Sequence, residues 1–293
     1  MRTTRSIINK ENIINIRNND DGIVGIVTAF LILGLIVVIL TTVQTVYVPQ
    51  IMEQREADHM ETITDQFSQL KFAIDTHVAM KASYTPITTP FTLGSAELPY
   101  LSTSQTYGSL HINPDQCVFN FKSNDTEINK PLTGIEYHSS NAYFLEQNYV
   151  YETGALILSQ AEGNTMTTTP SFFVIDDDNI TLIINLYNIS VIGEKYSIGG
   201  YDTYPIQTLY HHTEPPVFIS DLDTLSITTS YHAAWEQFIS SCLINAGLQQ
   251  QQNYTIQLSE NQLVFSFTDE TIIDVEIWTH ILNAQLAPGW IEV

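Results

Sequence analysis

Hydrophobic and polar positions divide the chain into three stretches with different periods. Residues 23–48 read IVGIVTAFLILGLIVVILTTVQTVYV and hold no charged side chain. A helix needs about 20 apolar residues to cross a bilayer, so this stretch predicts a transmembrane helix. A soluble core helix of that length would carry a polar stripe, and none is present. Residues 50–82 contain no Gly or Pro, and Met60, Ile63, Phe67, Leu70, Ile74 and Val78 recur at spacings of three and four. That seam predicts an amphipathic helix, with Glu53, Glu56, Asp58, Glu61, Asp65 and Lys71 on its other face. Pro49 lies between the two stretches and either kinks the helix or opens a new first turn. As one helix, residues 23–82 would span on the order of 90 Å. The seam can pack on the chain's own head or between subunits, and the pattern allows both.

After residue 82 the period changes to two. Cys117, Phe119 and Phe121 share a face; so do Ile180, Leu182, Ile184 and Leu186, while Ile183 and Tyr187 make that run apolar on both sides. Tyr254, Ile256 and Leu258 precede Leu263, Phe265 and Phe267 across SENQ, which predicts a hairpin. One helix interrupts the strands. Tyr231, Ala234, Trp235, Phe238, Ile239, Cys242, Leu243 and Ala246 form an apolar face, with Ser230 placed to cap its start and Gly247 its end. The fold class is therefore α+β: a long N-terminal transmembrane and stalk helix, then a β-rich, sandwich-like head with one packed helix. The organisation reads as a leader over 1–22, a transmembrane helix over 23–48, a stalk over 49–82 and a head over 83–293. A fragment from Ser83 folds alone on this division, unless the head leans on the stalk seam.

Charge orients the anchor. Arg2, Arg5, Lys10 and Arg17 precede the apolar run, and Arg55 and Lys71 are the first cations after it. The excess of cations before the run keeps the N-terminus cytoplasmic and places the head outside the cell membrane. The apolar run is longer than a secretory h-region and no small-x-small site follows it, so the helix stays on the protein. The net charge is −22, and no Lys or Arg follows Lys195; such a chain repels phosphate, which excludes nucleic acid as a partner.

A basic leader, a short acidic-Gly junction and an apolar helix running into an amphipathic stalk and a β-rich head resemble the plan of archaeal type IV pilins and archaellins. In DDGIVGIVTAFLILG, Gly22 precedes the apolar run, Ile23 takes the place of the mature N-terminus, and Gly25 is then third in the mature chain. The stretch YVPQIMEQREADHMETITDQFSQLKFAI, with its acidic-His pair Asp58 and His59, is similar to archaeal pilin-like surface proteins, as are the head segments YETGALILSQAEGNTM and SITTSYHAAWEQF. Asp21 stands where archaeal leaders often have Lys or Arg, and Val27 where bacterial pilins have Glu. The resemblance implies cleavage after Gly22 by a prepilin peptidase, partner subunits packed helix to helix, and a structural filament role in adhesion or surface contact, without catalysis or cofactor. Gly25 and Gly34 would let neighbouring helices approach. The alternative is a single-pass anchored surface protein, with a ligand-binding or sensor head, that never polymerises.

Candidate chemistry is sparse. His211, His212, Glu214 and His232 lack metal-ligand spacing, and Asp176, Asp177 and Asp178 lack the Gly and Glu of a calcium loop, so no metal site is expected. No nucleophile elbow or phosphate-binding loop occurs. Asn124, Asn179, Asn188 and Asn253 head N-glycosylation sequons. Cys117 and Cys242 are read as two independent buried thiols; a disulfide between them, worth roughly 2–4 kcal/mol, is the less favoured state.

Overall fold

The computed structural model describes residues 11–81, 83–95, 106–124, 126–176, 180–268 and 271–286, with side chains from residue 23 onward. Its N-terminal part is one continuous helical path: α1 (Glu11–Thr42), a π-helical turn (Val43–Tyr47) and α2 (Val48–Met80). The helix begins at Glu11, within the stretch 1–22 that the sequence suggests as a leader, and residues 1–10 lie outside the described part. It ends at Lys81, in the left-handed region at φ 48°.

The strands follow in chain order: β1 (Ile87–Thr92), β2 (Tyr107–Ser123), β3 (Glu127–Ser140), β4 (Gln147–Glu152), β5 (Ala155–Gln160), β6 (Gly163–Thr168), β7 (Phe172–Asp176), β8 (Ile180–Val191), β9 (Ser197–Gly200), β10 (Thr203–Thr213), β11 (Val217–Ile219) and β12 (Leu222–Thr228). The helix α3 (His232–Asn245) then precedes β13 (Tyr254–Leu258), β14 (Gln262–Phe267) and β15 (Ile273–Leu286). Among the described residues they form two sheets. One runs β1-β10-β15-β8-β7, with β11 beside β15; the other runs β13-β14-β12-β2-β3-β4-β5-β6, with β9 beside β2. The predicted hairpin is β13–β14. The pair β8–β15 is parallel, from Ile180 opposite Ile273 to Val191 opposite Ala284.

The long strands serve two cores with opposite faces, which the right-handed twist of a sheet permits. On β8, Leu182, Ile184 and Leu186 enter the first core, while Tyr187 and Ile189 enter the second. On β15, Ile273, Val275 and Ile277 enter the first, and Leu282, Ala284 and Leu286 the second. Cys117, Phe119 and Phe121 join the first core together with Trp235, Ile239 and Leu243 of α3. Met60, Ile63, Phe67, Leu70 and Ile74 of α2 belong to the second, against Phe91, Leu110 and Tyr149. The Phe67 ring stands edge-on to Phe91 at 5.1 Å and stacks with Tyr149 at 6.0 Å.

The seam therefore packs on the chain's own head. The division at residue 82 marks a change of secondary structure and not a boundary between cores, because one of the head's two large apolar cores is completed by α2.

The caps of α3 divide in the same way. Gly247, at φ 83°, ends the helix as expected: its N–H donates to Ile244 O at 2.9 Å and the Leu248 N–H to Leu243 O at 3.0 Å. Ser230 does not cap the start. Thr229 Oγ1 accepts the Tyr231 N–H at 3.1 Å, and Asn164 of β6 accepts the Ala234 N–H at 2.8 Å. A side chain distant in sequence does the work that local chemistry assigned to the neighbour. Cys242 is half-buried, not a core residue.

Candidate functional site: the anchor helix and its seat in the head

From Ile23 to Thr42 the helix is apolar and uncovered on every face. Ile23, Phe30, Leu31 and Leu40 are all more than half exposed. The few hydroxyls are satisfied internally: Thr28 Oγ1 donates to Val24 O at 2.9 Å, Thr41 to Val37 O at 2.8 Å and Thr42 to Val38 O at 2.9 Å. A polar group in hydrocarbon needs such a partner. Gly22 lies within α1, and a Cβ placed on Gly25 or Gly34 would meet nothing within 4 Å.

At Val43 the helix changes register. The Val48 N–H donates to Val43 O, five residues back, and Pro49 follows. Pro49 has no N–H and its ring crowds the turn before it, which the wider π turn accommodates. The inserted residue has a second consequence. It brings Val43, Val48, Met52, Glu56 and Met60 onto one face, at spacings of five and then four. Val43 is half-buried and Val48 and Met52 are buried, whereas Val46, Tyr47 and Ile51 on the other side stay exposed.

Polar side chains on the covered face fasten α2 to the head. Glu56, 1 % exposed, accepts the backbone N–H groups of Ala142 (3.1 Å), Tyr143 (2.8 Å) and Phe144 (2.7 Å). Its assignment to the solvent face is corrected here: Glu56 lies four residues before Met60 and four after Met52, so the seam's own register points it inward. Glu53, Asp58, Glu61 and Asp65 do face solvent, and Lys71 is half-buried against Asp75 at 2.8 Å. His59 Nε2–H donates to Tyr137 Oη at 3.0 Å, and Tyr137 Oη donates to Leu93 O at 2.7 Å. Gly108 makes room for that bond, since a Cβ there would stand 2.0 Å from Leu93 O. Gln66 Oε1 accepts the Thr92 N–H at 3.0 Å on edge strand β1. His77 Nε2–H donates to Thr208 O at 2.9 Å. Burial lowers the pKa of both histidines, which keeps them neutral in these roles.

Two more buried carboxylates dock α3. Glu152 Oε1 accepts Thr229 Oγ1–H and Oε2 accepts Trp235 Nε1–H, both at 2.8 Å, with Cys117 alongside. Glu136 accepts the Tyr231 hydroxyl and, at 3.1 Å, Asn113 Nδ2–H. His138 lies 3.3 Å away. Burial acts to raise Glu136, but the hydrogen bonds from His138 and Tyr231 outweigh it and its pKa is lowered. Burial dominates at Glu152 and pushes its pKa up to about 7. The folded chain then holds a proton there between the usual carboxyl range and about pH 7, which the unfolded chain does not. Stability from this group is greatest at acidic pH and falls as pH rises through 7, by on the order of 3 kcal/mol. Glu152→Gln is expected to remove this pH dependence. Urea unfolding of both proteins at pH 5 and pH 8 isolates it, because other groups cancel in the difference; a gap between the two proteins that does not change with pH would refute it.

The remaining sequence sites are dispersed. Glu214, once grouped with the histidines, pairs with Lys130 at 2.7 Å. Asn124 is exposed in the β2–β3 turn; Asn188 and Asn253 are half-buried and hydrogen-bonded; Asn179 lies outside the described residues. Cys117 and Cys242 are both free thiols, the first buried and the second half-buried. Burial raises the pKa of each, which makes both poor nucleophiles. Thiol titration of denatured, unreduced protein is expected to count two per chain; a count of none would contradict the structure.

A single N-terminal helix, apolar over membrane-spanning length and fused to a two-sheet head, defines a protein whose architecture fits a single-pass membrane anchor. The chain belongs to a family described as of unknown function, DUF7289, whose model matches residues 22–271. Comparisons with curated proteins and with solved structures give no match.

Proposed function

We propose that this protein is an archaeal type IV pilin-like surface subunit, with its N-terminus cytoplasmic, its head extracellular and a structural role in a filament serving adhesion or surface contact. The observation that carries this reading is the division of one continuous helix at Val43. Above it, one face is fused into the head; below it, back to Ile23, every face is apolar and uncovered, so lipid or neighbouring helices must cover it. Gly25 and Gly34 are nine residues apart and therefore on opposite sides of the helix. A subunit in the middle of a bundle has neighbours on both sides, joined by heterologous contacts that propagate into an open filament. The family match begins at residue 22 and leaves the basic leader outside, in keeping with a leader removed by a prepilin peptidase. The head contributes binding surface and no catalysis.

The N-terminal peptide from native cells tests the reading. Its expected first residue is Ile23, and a retained leader favours the anchored protein that never polymerises. Gly22→Leu is expected to abolish maturation, because a peptidase at the membrane face must close on the scissile peptide and a side chain there obstructs it. An immunoblot should then show only the slower-migrating precursor; wild-type mobility would refute processing at this position.

A further inference from the structure

We infer that Asn124, in preference to Asn188 and Asn253, is a glycosylated sequon of the head, carrying an N-linked glycan transferred from a lipid-linked saccharide. The inference rests on the exported head proposed above. The described sequons differ in what their amides do. Asn188 lies in β8 opposite Ile281 of the parallel strand β15, and its Oδ1 accepts the Thr133 N–H at 3.3 Å. Both ends of the Asn253 amide are engaged: Oδ1 accepts the Gln249 N–H at 2.9 Å and Nδ2 donates to Thr271 Oγ1 at 3.0 Å. Asn124 stands at the apex of the β2–β3 hairpin, closed by Ser123 N–H to Thr126 O at 2.8 Å and Thr126 N–H to Ser123 O at 3.3 Å. Among the described residues nothing bonds its amide, and both Asn124 and the Thr126 of its sequon are exposed.

The transfer needs that freedom. The carboxamide nitrogen attacks C1 of the reducing-end sugar, the C1–O bond to the polyprenyl phosphate breaks, the phosphate leaves with the electron pair, and the nitrogen gives up one proton. A carboxamide already held inside the fold, through its oxygen as at Asn188 or through both ends as at Asn253, is not free to turn its nitrogen toward the donor. The hairpin lies at the end of β2 that serves the first core, away from the core that α2 completes. Beside it a shallow polar trough of about 590 Å³ crosses β2, β3, β12 and β14, lined by Asn120, Asn129, Ser226, Thr228 and Gln262. Such amides and hydroxyls match sugar hydroxyls as donors and acceptors. Asn120 is four strand residues from Asn124, roughly 13 Å away, within reach of a short saccharide.

Cleavage of the native protein after Lys122 and Glu127 isolates residues 123–127 for mass spectrometry. This peptide is expected to carry the glycan mass, and Asn124→Gln to lose all of it with an unchanged melting temperature. An unmodified 123–127 peptide, or sugar on the Asn188 or Asn253 peptides, overturns the inference. Protease treatment of intact cells from the same preparation separates the two possible failures. A head that is released but bare at Asn124 refutes the glycan alone, whereas a protected head refutes the exported placement.

Discussion

A fragment beginning at Ser83 should aggregate, whereas one beginning at Gln50 should fold and remain soluble. The difference is α2. Met60, Ile63, Phe67, Leu70 and Ile74 are each 2 % exposed or less and fill the second core. Burying a side chain of this size stabilises by about 1.5–3 kcal/mol, so the five together are worth on the order of 10 kcal/mol. That equals the entire net stability of a typical domain, about 5–15 kcal/mol. Without α2, Phe91, Leu110, Ile135 and Tyr149 face water as one apolar patch. Edge strand β1 also loses the Gln66 acceptor that meets its Thr92 N–H. Starting at Gln50 keeps the whole seam from Met52 onward and removes the uncovered helix. Light scattering and thermal unfolding of both fragments decide the matter; a monomeric, cooperatively folding fragment from Ser83 would mean that the head does not need the seam.

The second large effect is expected at Glu56. In the soluble fragment from Gln50, Glu56→Ala should lose about 3–5 kcal/mol, the range for breaking a buried charged interaction. Three consecutive backbone N–H groups lose their acceptor together, and each unsatisfied group carries its own desolvation penalty. Glu56→Gln keeps a carbonyl oxygen but loses the charge and turns an NH2 toward the donors, so it should recover only part. Urea unfolding gives the magnitude. Hydrogen exchange gives the location, with the amides of Ala142, Tyr143 and Phe144 exchanging faster than in wild type. A loss within 0.5 kcal/mol of zero, as for an ordinary surface substitution, together with unchanged exchange, would place the carboxylate in solvent after all.

Legibility tracked the distance over which each interaction acts. The anchor was readable because lipid asks only for a long apolar run, a property of consecutive residues. The seam, the α3 face and the β13–β14 hairpin were readable for the same reason: their periods and turns are local. The polar members of the seam were not recognised. Glu56, His59, Gln66 and His77 resemble solvent-facing residues until their partners appear, and those partners are Ala142, Tyr137, Thr92 and Thr208. Ser230 was the best local choice for a cap and lost to Thr229 and Asn164. Register did carry one usable signal, the spacing Met52, Glu56, Met60, which marks a charge on an apolar face.

What this chain determines by itself is its order of elements: a polar N-terminal stretch, an apolar helix of membrane-spanning length, an amphipathic helix and a β-rich remainder. Periodicity and composition suffice for that, since each element selects its surroundings through its own exposed face. The tertiary structure alone decided that the amphipathic helix completes the head's second core, that β8 and β15 pair in parallel, and that the π turn keeps one face aligned from Val43 to Met60. It also decided which of the described sequon asparagines is free and which carboxylates are buried. These outcomes depend on partners far apart along the chain, and a side chain's own chemistry does not say which distant backbone group it will meet.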